Sequence, residues 1–446
     1  MLDKTNDNFL LDSYSGQGGY ADGRYLIAHA RELPAKLAQR KALAVYPNYC
    51  RKIVDVYLGF LWRQSPQREV SDLYNQFAIN SDGLGGAIDS VLFGYQRLAL
   101  VLGTVYVLVD KPQNIAQSRA DEKQPYLAVR TPQALVRELK NHLGEWELVT
   151  FSEVDLTSIR TPLSPVVVLR YRTYTRTGWI LSRDIYATDI IEQGEYPLGK
   201  VPVVKLHAAK PLNPSDSRAQ SWAYDLACLN WDLYNLRSEL RELFRAQTFS
   251  ILAMPVVDDQ ERERLKDVTI STENALSYNP AGGGVPTFVA PPADPVELYM
   301  KQIAETVQDI YRVANLEFVG GVQQSGVALS FHFQEANSSL RGMAEQCEMA
   351  EREIAHLVHL WQGQVFDGHI AYSNDFNLTD LASALAVAMD AVNLNMGSAF
   401  DVAVKKRVAR QILGSDTPPS VLSEIDREIE AFGDTYGDRL AQQAGL

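Results

Sequence analysis

The feature that most constrains this chain is a loop that runs directly into a very long helical pattern. The loop reads Gly320, Gly321, Val322, Gln323, Gln324, Ser325, Gly326. Behind it, apolar residues recur at Leu340, Met343, Cys347, Ala350, Ile354, Leu357, Trp361 and Val365. Steps of three and four predict one buried stripe on one helix. The pattern is far longer than an ordinary globular helix of roughly 11–12 residues. It suits a structural strut better than the short helices that frame a catalytic pocket.

A second pattern adds to this. Trp222, Leu226, Leu229, Leu233, Leu236, Leu240 and Leu243 alternate steps of four and three, the seam of a coiled-coil-like contact expected between subunits. Ser215 is positioned as an N-cap. Asp216, Asp225 and Asp232 come early in this pattern, and Arg237, Arg241 and Arg245 come late, as the helix dipole favours. The three arginines form one stripe, read here as a solvated or intersubunit face, with a DNA-touching track as the alternative. A third helical pattern starts at Asp294 and carries Val296, Met300, Ile303, Val307, Ile310 and Ala314. Between the second and third patterns, residues 249–293 are short and irregular and read as a small α/β insertion.

The first part of the chain reads as α+β. Residues 1–20 are polar and Gly-rich and are expected to be loosely held. Helical patterns follow from Asp22 to about Leu61, interrupted at Pro34 and Pro47, and from Val70 to Leu100. The period then changes to two. The runs Val101–Asp110, Tyr126–Arg130, Trp146–Phe151, Val166–Tyr174 and Gly178–Ser182 predict a mainly antiparallel sheet, with a hairpin turn at Thr177-Gly178. The tail from Asn377 is helical with a break at Pro418-Pro419. Residues 415–446 hold seven acids and two bases, an acidic appendage.

At 446 residues the chain has length for two or three compact regions. Lys and Arg number 42 against 55 Asp and Glu, a formal charge of −13, which argues against a broad basic face gripping DNA phosphates. It leaves room for DNA that slides past without sticking. Cys50, Cys228 and Cys347 are far apart and odd in number, so buried inert thiols are expected rather than disulfides or a metal site. No signal peptide is visible and the longest apolar run is too short for a bilayer, so no membrane partner is expected.

Chemistry is sparse. Gly194 to Lys200 fits the first seven positions of a phosphate-binding loop, but Val201 stands where Ser or Thr must hold magnesium, and a strand pattern follows where a helix is needed. Glu353 and His356 form a single ExxH, and His359 lies one turn on. A di-iron site needs a second copy, and no HExxH or cysteine pairing supports a metal here. Ser325 lacks the GxSxG setting of a nucleophile. The glycines at 16–19 and 282–284 lack the strand-then-helix context of a dinucleotide site. No catalytic residue, cofactor or metal is assigned.

At this point the chain resembles the portal proteins of tailed bacteriophages. Ser325-Gly326-Val327-Ala328-Leu329 is similar to that family's Ser-Gly-x-Ala-Leu signature. Leu198-Gly199-Lys200-Val201-Pro202-Val203-Val204 is similar to the segment before its first long helix. Tyr224 to Leu240 is similar to that helix, and Tyr46 to Pro66 to the N-terminal helix of one subgroup. The resemblance spans about residues 45 to 415, and the ordered set carries it rather than any one motif.

The resemblance implies a portal-type α+β subunit of a ring, a homododecamer in most of the family, with a channel for double-stranded DNA. Residues 1–214 would be the wing, 215–248 and 294–313 the two stem helices, and 249–293 the clip between them. Residues 314–327 would form the tunnel loop, with Gly320, Gly321, Gln323, Gln324, Ser325 and Gly326 facing DNA. Residues 328–366 would be the long wing helix and 367–446 a helical crown with its acidic tail. The implied partners are further copies of the chain, passing DNA, the terminase large subunit, a head-tail adaptor, and major capsid and scaffolding proteins. The implied location is a capsid vertex of the virion, after assembly in host cytoplasm. Two alternatives stay open: a helical scaffold or adaptor oligomer without a channel, and a nucleotide- or metal-dependent enzyme.

Overall fold

The structure is a computed structural model. It describes residues 7–30, 32–112, 124–154, 168–213, 216–248, 251–255, 275–278, 287–289, 294–316, 326–374 and 376, with short pieces between 400 and 431.

From Asp7 onward the N-terminal part is packed against the body, contrary to the sequence expectation. Helix α1 (Asp7–Ser15) buries Phe9 and Leu10, and Tyr20 beyond it is buried too. Two apolar side chains on one face of a nine-residue helix are enough to dock it, at about 1.5–3 kcal/mol each. Asp22–Leu33, expected to be helical, has no helix among its described residues. Pro34 instead opens helix α2 (Pro34–Leu43), because its missing N–H costs nothing in a first turn.

Helix α3 (Tyr49–Leu61) follows, capped by the Asn48 side chain, which accepts from Arg51 N at 2.8 Å. Strand β1 (Gln67–Glu69) is short. The second helical block divides into α4 (Asp72–Ile79) and α5 (Ile88–Leu102). Gly103 ends α5 at a φ of 86°, and a Cβ there would lie 2.2 Å from the Ala219 carbonyl oxygen. Both facts require glycine at this corner.

The body has a layered core. Strands β2 (Thr104–Asp110), β3 (Tyr126–Arg130) and a later strand from Val203 form one antiparallel sheet in the order β3, β2, Val203 strand. A second antiparallel sheet runs in sequence order: β4 (Leu135–Lys140), β5 (Trp146–Val154), β6 (Leu169–Thr175), β7 (Gly178–Ser182) and β8 (Ile190–Glu195). The Val203 strand is β9 (Val203–His207). The turn between β6 and β7 is Arg176-Thr177, one residue earlier than expected.

Strand β2 explains its own apolar run. Val105, Val107 and Val109 point into the helical core, while Tyr106 and Leu108 point into a smaller cluster with Val149, Phe151 and Tyr174 of the second sheet. A strand covered on both faces reads as continuously apolar rather than alternating.

Helix α6 (Tyr224–Thr248) leaves this body. Strands β10 (Ile251–Pro255), β11 (Ala275–Tyr278) and β12 (Thr287–Val289) form a separate small sheet in the order β11, β10, β12, the first pair parallel and the second antiparallel. Helix α7 (Asp294–Val313) returns, and α8 (Gly326–Trp361) crosses the body against α3, α4, β2 and β9. Strand β13 (His369–Ala371) pairs antiparallel with β1. Residues 402–406 and 423–431 are helical. The Pro418-Pro419 break lies outside the described residues, as does most of the tail.

Candidate functional site

The candidate site is the unit formed by α6, α7 and α8. Helix α6 is fixed by polar side chains that the leucine spacing does not reveal. Asn230 is fully buried, and its Oδ1 accepts from the backbone N–H of Tyr49 and Cys50 at 2.9 and 3.0 Å. Its Nδ2 donates to the Pro47 carbonyl at 2.8 Å. One side chain of α6 thus satisfies donors at the start of α3, which a helix N-terminus leaves unpaired. Asn235 accepts from Ile27 N at 2.8 Å and donates to Trp231 O at 2.9 Å. The Trp231 indole donates to Tyr25 O at 2.8 Å, and the Tyr234 hydroxyl to Tyr20 O at 3.1 Å. The N-terminal segment is therefore stitched onto α6.

The leucine seam divides into two parts. Leu226 and Leu233 are buried in the subunit's own core, with Trp222 and Leu229 partly buried against it. Trp222 also precedes the helix. Leu226 and Leu233 were expected between subunits, and this placement corrects that: the body of the same chain covers them, while Trp222 and Leu229 stay partly exposed. Leu236, Leu240 and Leu243, nearer the free end, are half-buried. Ser215 lies outside the described residues, and α6 begins nine positions later at Tyr224.

The arginine stripe is not uniform either. Arg237 is exposed and Arg245 half-buried. Arg241 donates to the Leu43 carbonyl at the end of α2. That is the interaction a helix C-terminus seeks, since its last carbonyls lack partners. Arg241 is exposed apart from this contact, as Arg237 is.

Helices α6 and α7 run antiparallel. The Tyr299 hydroxyl, near the start of α7, donates to Glu239 Oε2 at 2.9 Å, in the second half of α6. Tyr311, near the end of α7, meets Tyr49 edge-on at 5.9 Å, beside Asn230 in the first half of α6. Ile310 and Ala314 are buried and Ile303 and Val307 partly so, as the seam predicts. Met300 was assigned to that seam but is 56% exposed, and Leu298 is 68% exposed. With Phe244 at 46%, they place exposed apolar side chains toward the end of the pair that carries the small sheet.

Of the expected loop, Gly320, Gly321, Gln323, Gln324 and Ser325 lie outside the described residues. Gly326 is the first residue of α8. The helix ends at Trp361, whose indole donates to Val109 O at 2.9 Å. Val365 lies beyond the helix and is 78% exposed, so it does not extend the stripe. Leu340, Met343, Cys347, Ala350, Ile354 and Leu357 are all buried in the core.

The residue that locks α8 in place went unnoticed in the sequence. Glu351 is fully buried and is bridged by Arg68 of β1, which also reaches Asp89 Oδ1 at 2.6 Å. The Tyr74 and Tyr372 hydroxyls donate to the Glu351 carboxylate at 2.9 and 2.6 Å. Burial and the neighbouring Glu351 charge hold both phenols well above their ordinary pKa, so they stay donors. An acid amid the apolar stripe was the available signal, because a buried charge demands partners.

Among the chemical candidates, His359 has a structural role. His359 is buried, its Nδ1 donating to Ala355 O at 2.7 Å while its Nε2 lies 2.8 Å from Ser71 Oγ. Both ring nitrogens are thereby occupied. Residues 194–201 lead from β8 toward β9 and do not open a helix. Among the described residues, no group of three or more His, Cys, Asp or Glu is placed to hold a metal ion. Among them too, no helix is long and apolar enough to cross a membrane. Cys50 and Cys347 are buried and unpaired, and burial pushes the Cys50 thiol up to about 12.

No family model matches the chain, and no curated protein matches it. Among solved structures it is similar to a chain of the virion of the native gene transfer agent particle, at 12% identity and a TM-score of 0.44, covering 90% of this chain and 99% of that one. It is also similar to a chain from the neck of the native particle computed with C12 symmetry, at 12% identity and a TM-score of 0.42, covering 79% and 88%. A chain from the neck of the empty particle computed with C6 symmetry gives 12% identity and a TM-score of 0.39, covering 77% and 83%.

Proposed function

We propose that this chain is the repeating subunit of a portal ring at a capsid vertex, conducting double-stranded DNA. The observation that carries the reading is the order and pairing of α6, the small sheet and α7, followed by residues 317–325 and the 36-residue α8. This is the order that the motif resemblance implies. A helix pair anchored in an α+β body at one end, with apolar side chains exposed toward the other, is suited to packing against further copies.

In this reading the β10–β12 sheet is the clip that meets terminase and, later, a head-tail adaptor. The tunnel loop expected over residues 314–327 would line the channel. A formal charge of −13 disfavours tight phosphate binding, which a conduit for DNA must avoid. Glycine and glutamine in the loop offer weak polar contacts in place of fixed cations. Chemistry is left to a separate motor chain.

Negative-stain imaging of the purified protein tests this directly. Closed rings with an axial hole wide enough for duplex DNA are expected. Rings or struts without such a hole would favour the scaffold reading, and a stable monomer in every buffer would overturn the ring itself.

A further inference from the structure

Helix α2 is built inside out. A surface helix ordinarily turns its apolar stripe to the body and its charges to water. The residue that α2 buries is Arg40, with Leu37 and Lys41 half-buried beside it. The Arg40 guanidinium donates to the Glu32 carboxylate at 2.7 Å, to the Ile27 carbonyl at 3.3 Å and to Ser238 Oγ of α6 at 3.4 Å. One turn earlier, Lys36 Nζ pairs with Glu242 of α6 at 2.7 Å. The apolar residues face the other way. Ala35, Ala38, Ala42 and Leu43 are exposed, with Leu33 70% exposed just before the helix and Val45 59% exposed just after it. The bases fasten the helix, and a largely apolar strip about 15 Å long looks outward.

Single exposed leucines are ordinary, whereas a continuous apolar strip marks a face that a partner covers. Its position narrows the choice of partner. Ser238 and Glu242 lie four apart on one face of α6, and both meet α2. Glu239, about 100° round the helix, takes the Tyr299 hydroxyl of α7. Helices α2 and α7 thus flank α6 on different sides, and α7 also shows an apolar side chain outward at Leu298. Their charges are opposite in sign. Helix α2 carries three bases and no acid, and α7 four acids and two bases. Glu297 and Glu305 of α7 are exposed, and Glu305 shares a face with Leu298 seven residues before it. A second α2 would instead bring like charges together.

We propose that the outward strip of α2 docks on the outer face of α7 in a second copy of this chain. The alanines and leucines of α2 meet Leu298, and the bases of α2 lie toward Glu297 and Glu305. Every copy carries both faces, so the contact runs head to tail and repeats from copy to copy. The inference rests on the ring reading and adds which surfaces meet in the ring. It also accounts for the inversion of α2, because apolar groups left in water by the lone subunit are covered on assembly.

Bismaleimide cross-linking of the assembled full-length chain tests it. Ala38→Cys combined with Leu298→Cys is expected to give ladders of linked copies, lost in either single variant. A ladder from Ala38→Cys alone would place α2 on α2 and overturn the proposal. Ala38→Glu with Ala42→Glu should abolish rings in negative stain and leave thermal unfolding of the subunit unchanged, because both positions are exposed. Adding Glu297→Lys with Glu305→Lys should restore the rings by reversing the facing charges. Rings that survive the two glutamates, or wild-type rings whose double-cysteine variant gives no ladder, would overturn this docking and leave the ring reading standing. Absence of rings in the wild type would overturn both.

Discussion

The Arg68 guanidinium grips the Glu351 carboxylate through two hydrogen bonds, Nε to Oε1 at 2.6 Å and a terminal nitrogen to Oε2 at 3.1 Å. Glu351 sits within the longest helix and Arg68 on a three-residue strand, so one ion pair ties α8 to the sheet edge beneath it. Breaking such a pair from one side strands a charge in the core. Arg68→Met is expected to cost about 3–5 kcal/mol of stability, read by chemical denaturation. The double change Arg68→Met with Glu351→Gln should cost less than Arg68→Met alone. Equal or greater loss in the double variant would show that the stranded carboxylate is not the source.

Asn230→Ala should destabilise the subunit by about 1–3 kcal/mol, because its loss leaves the buried Cys50 N–H without its acceptor. The effect should appear as faster hydrogen exchange in the first turn of α3 while the last turn is unmoved. Uniform acceleration along α3 would contradict the capping role.

His207 carries a pH dependence. Ala219 N donates to Thr104 Oγ1 at 2.8 Å, so the Thr104 hydroxyl proton is free to donate to His207 Nδ1, also at 2.8 Å. With the hydroxyl donating, that contact needs a neutral Nδ1. Burial, with Lys205 nearby, lowers its pKa from 6.5 to about 4. A depressed histidine pKa means the unfolded chain binds more protons between those values, so stability falls as pH drops from about 6.5 to about 4. The contribution lost is on the order of 3 kcal/mol. His207→Gln should flatten the stability profile in that window, and an unchanged profile would remove His207 as its source.

Leu233 and Leu298 separate folding from assembly. Leu233 is fully buried in the core, so Leu233→Asp should unfold the subunit, at more than about 4 kcal/mol. Leu298→Asp with Met300→Asp should leave subunit stability within about 0.5 kcal/mol, because both side chains are exposed. Under the ring reading the same pair should shift the sedimentation profile from large assemblies to small ones. Unaltered assembly would place the contact between copies elsewhere.

Much of the fold was legible in the amino-acid order. Strands β2, β3, β5, β6 and β7 and the three helices α6, α7 and α8 follow from period and length, because apolar burial imposes spacing on each element separately, whereas β4 (Leu135–Lys140) was not foreseen. Short strands such as β1 and β13 left no such trace. Three residues carry too little pattern, and Arg68 is held by an ion pair instead. Helix α1 was missed because Phe9 and Leu10 gain their burial from partners distant in sequence, α3, α5 and α6 among them.

For the candidate site, sequence alone determined which stretches are struts and that the chain carries net negative charge. It could not assign the faces of those struts. Leu226 and Leu240 occupy equivalent places in one repeat, yet one is buried in the body and the other only half-covered on the free part of α6. Only the tertiary structure decided this. Heptad spacing specifies that a side chain wants an apolar neighbour, and long-range packing supplies the neighbour.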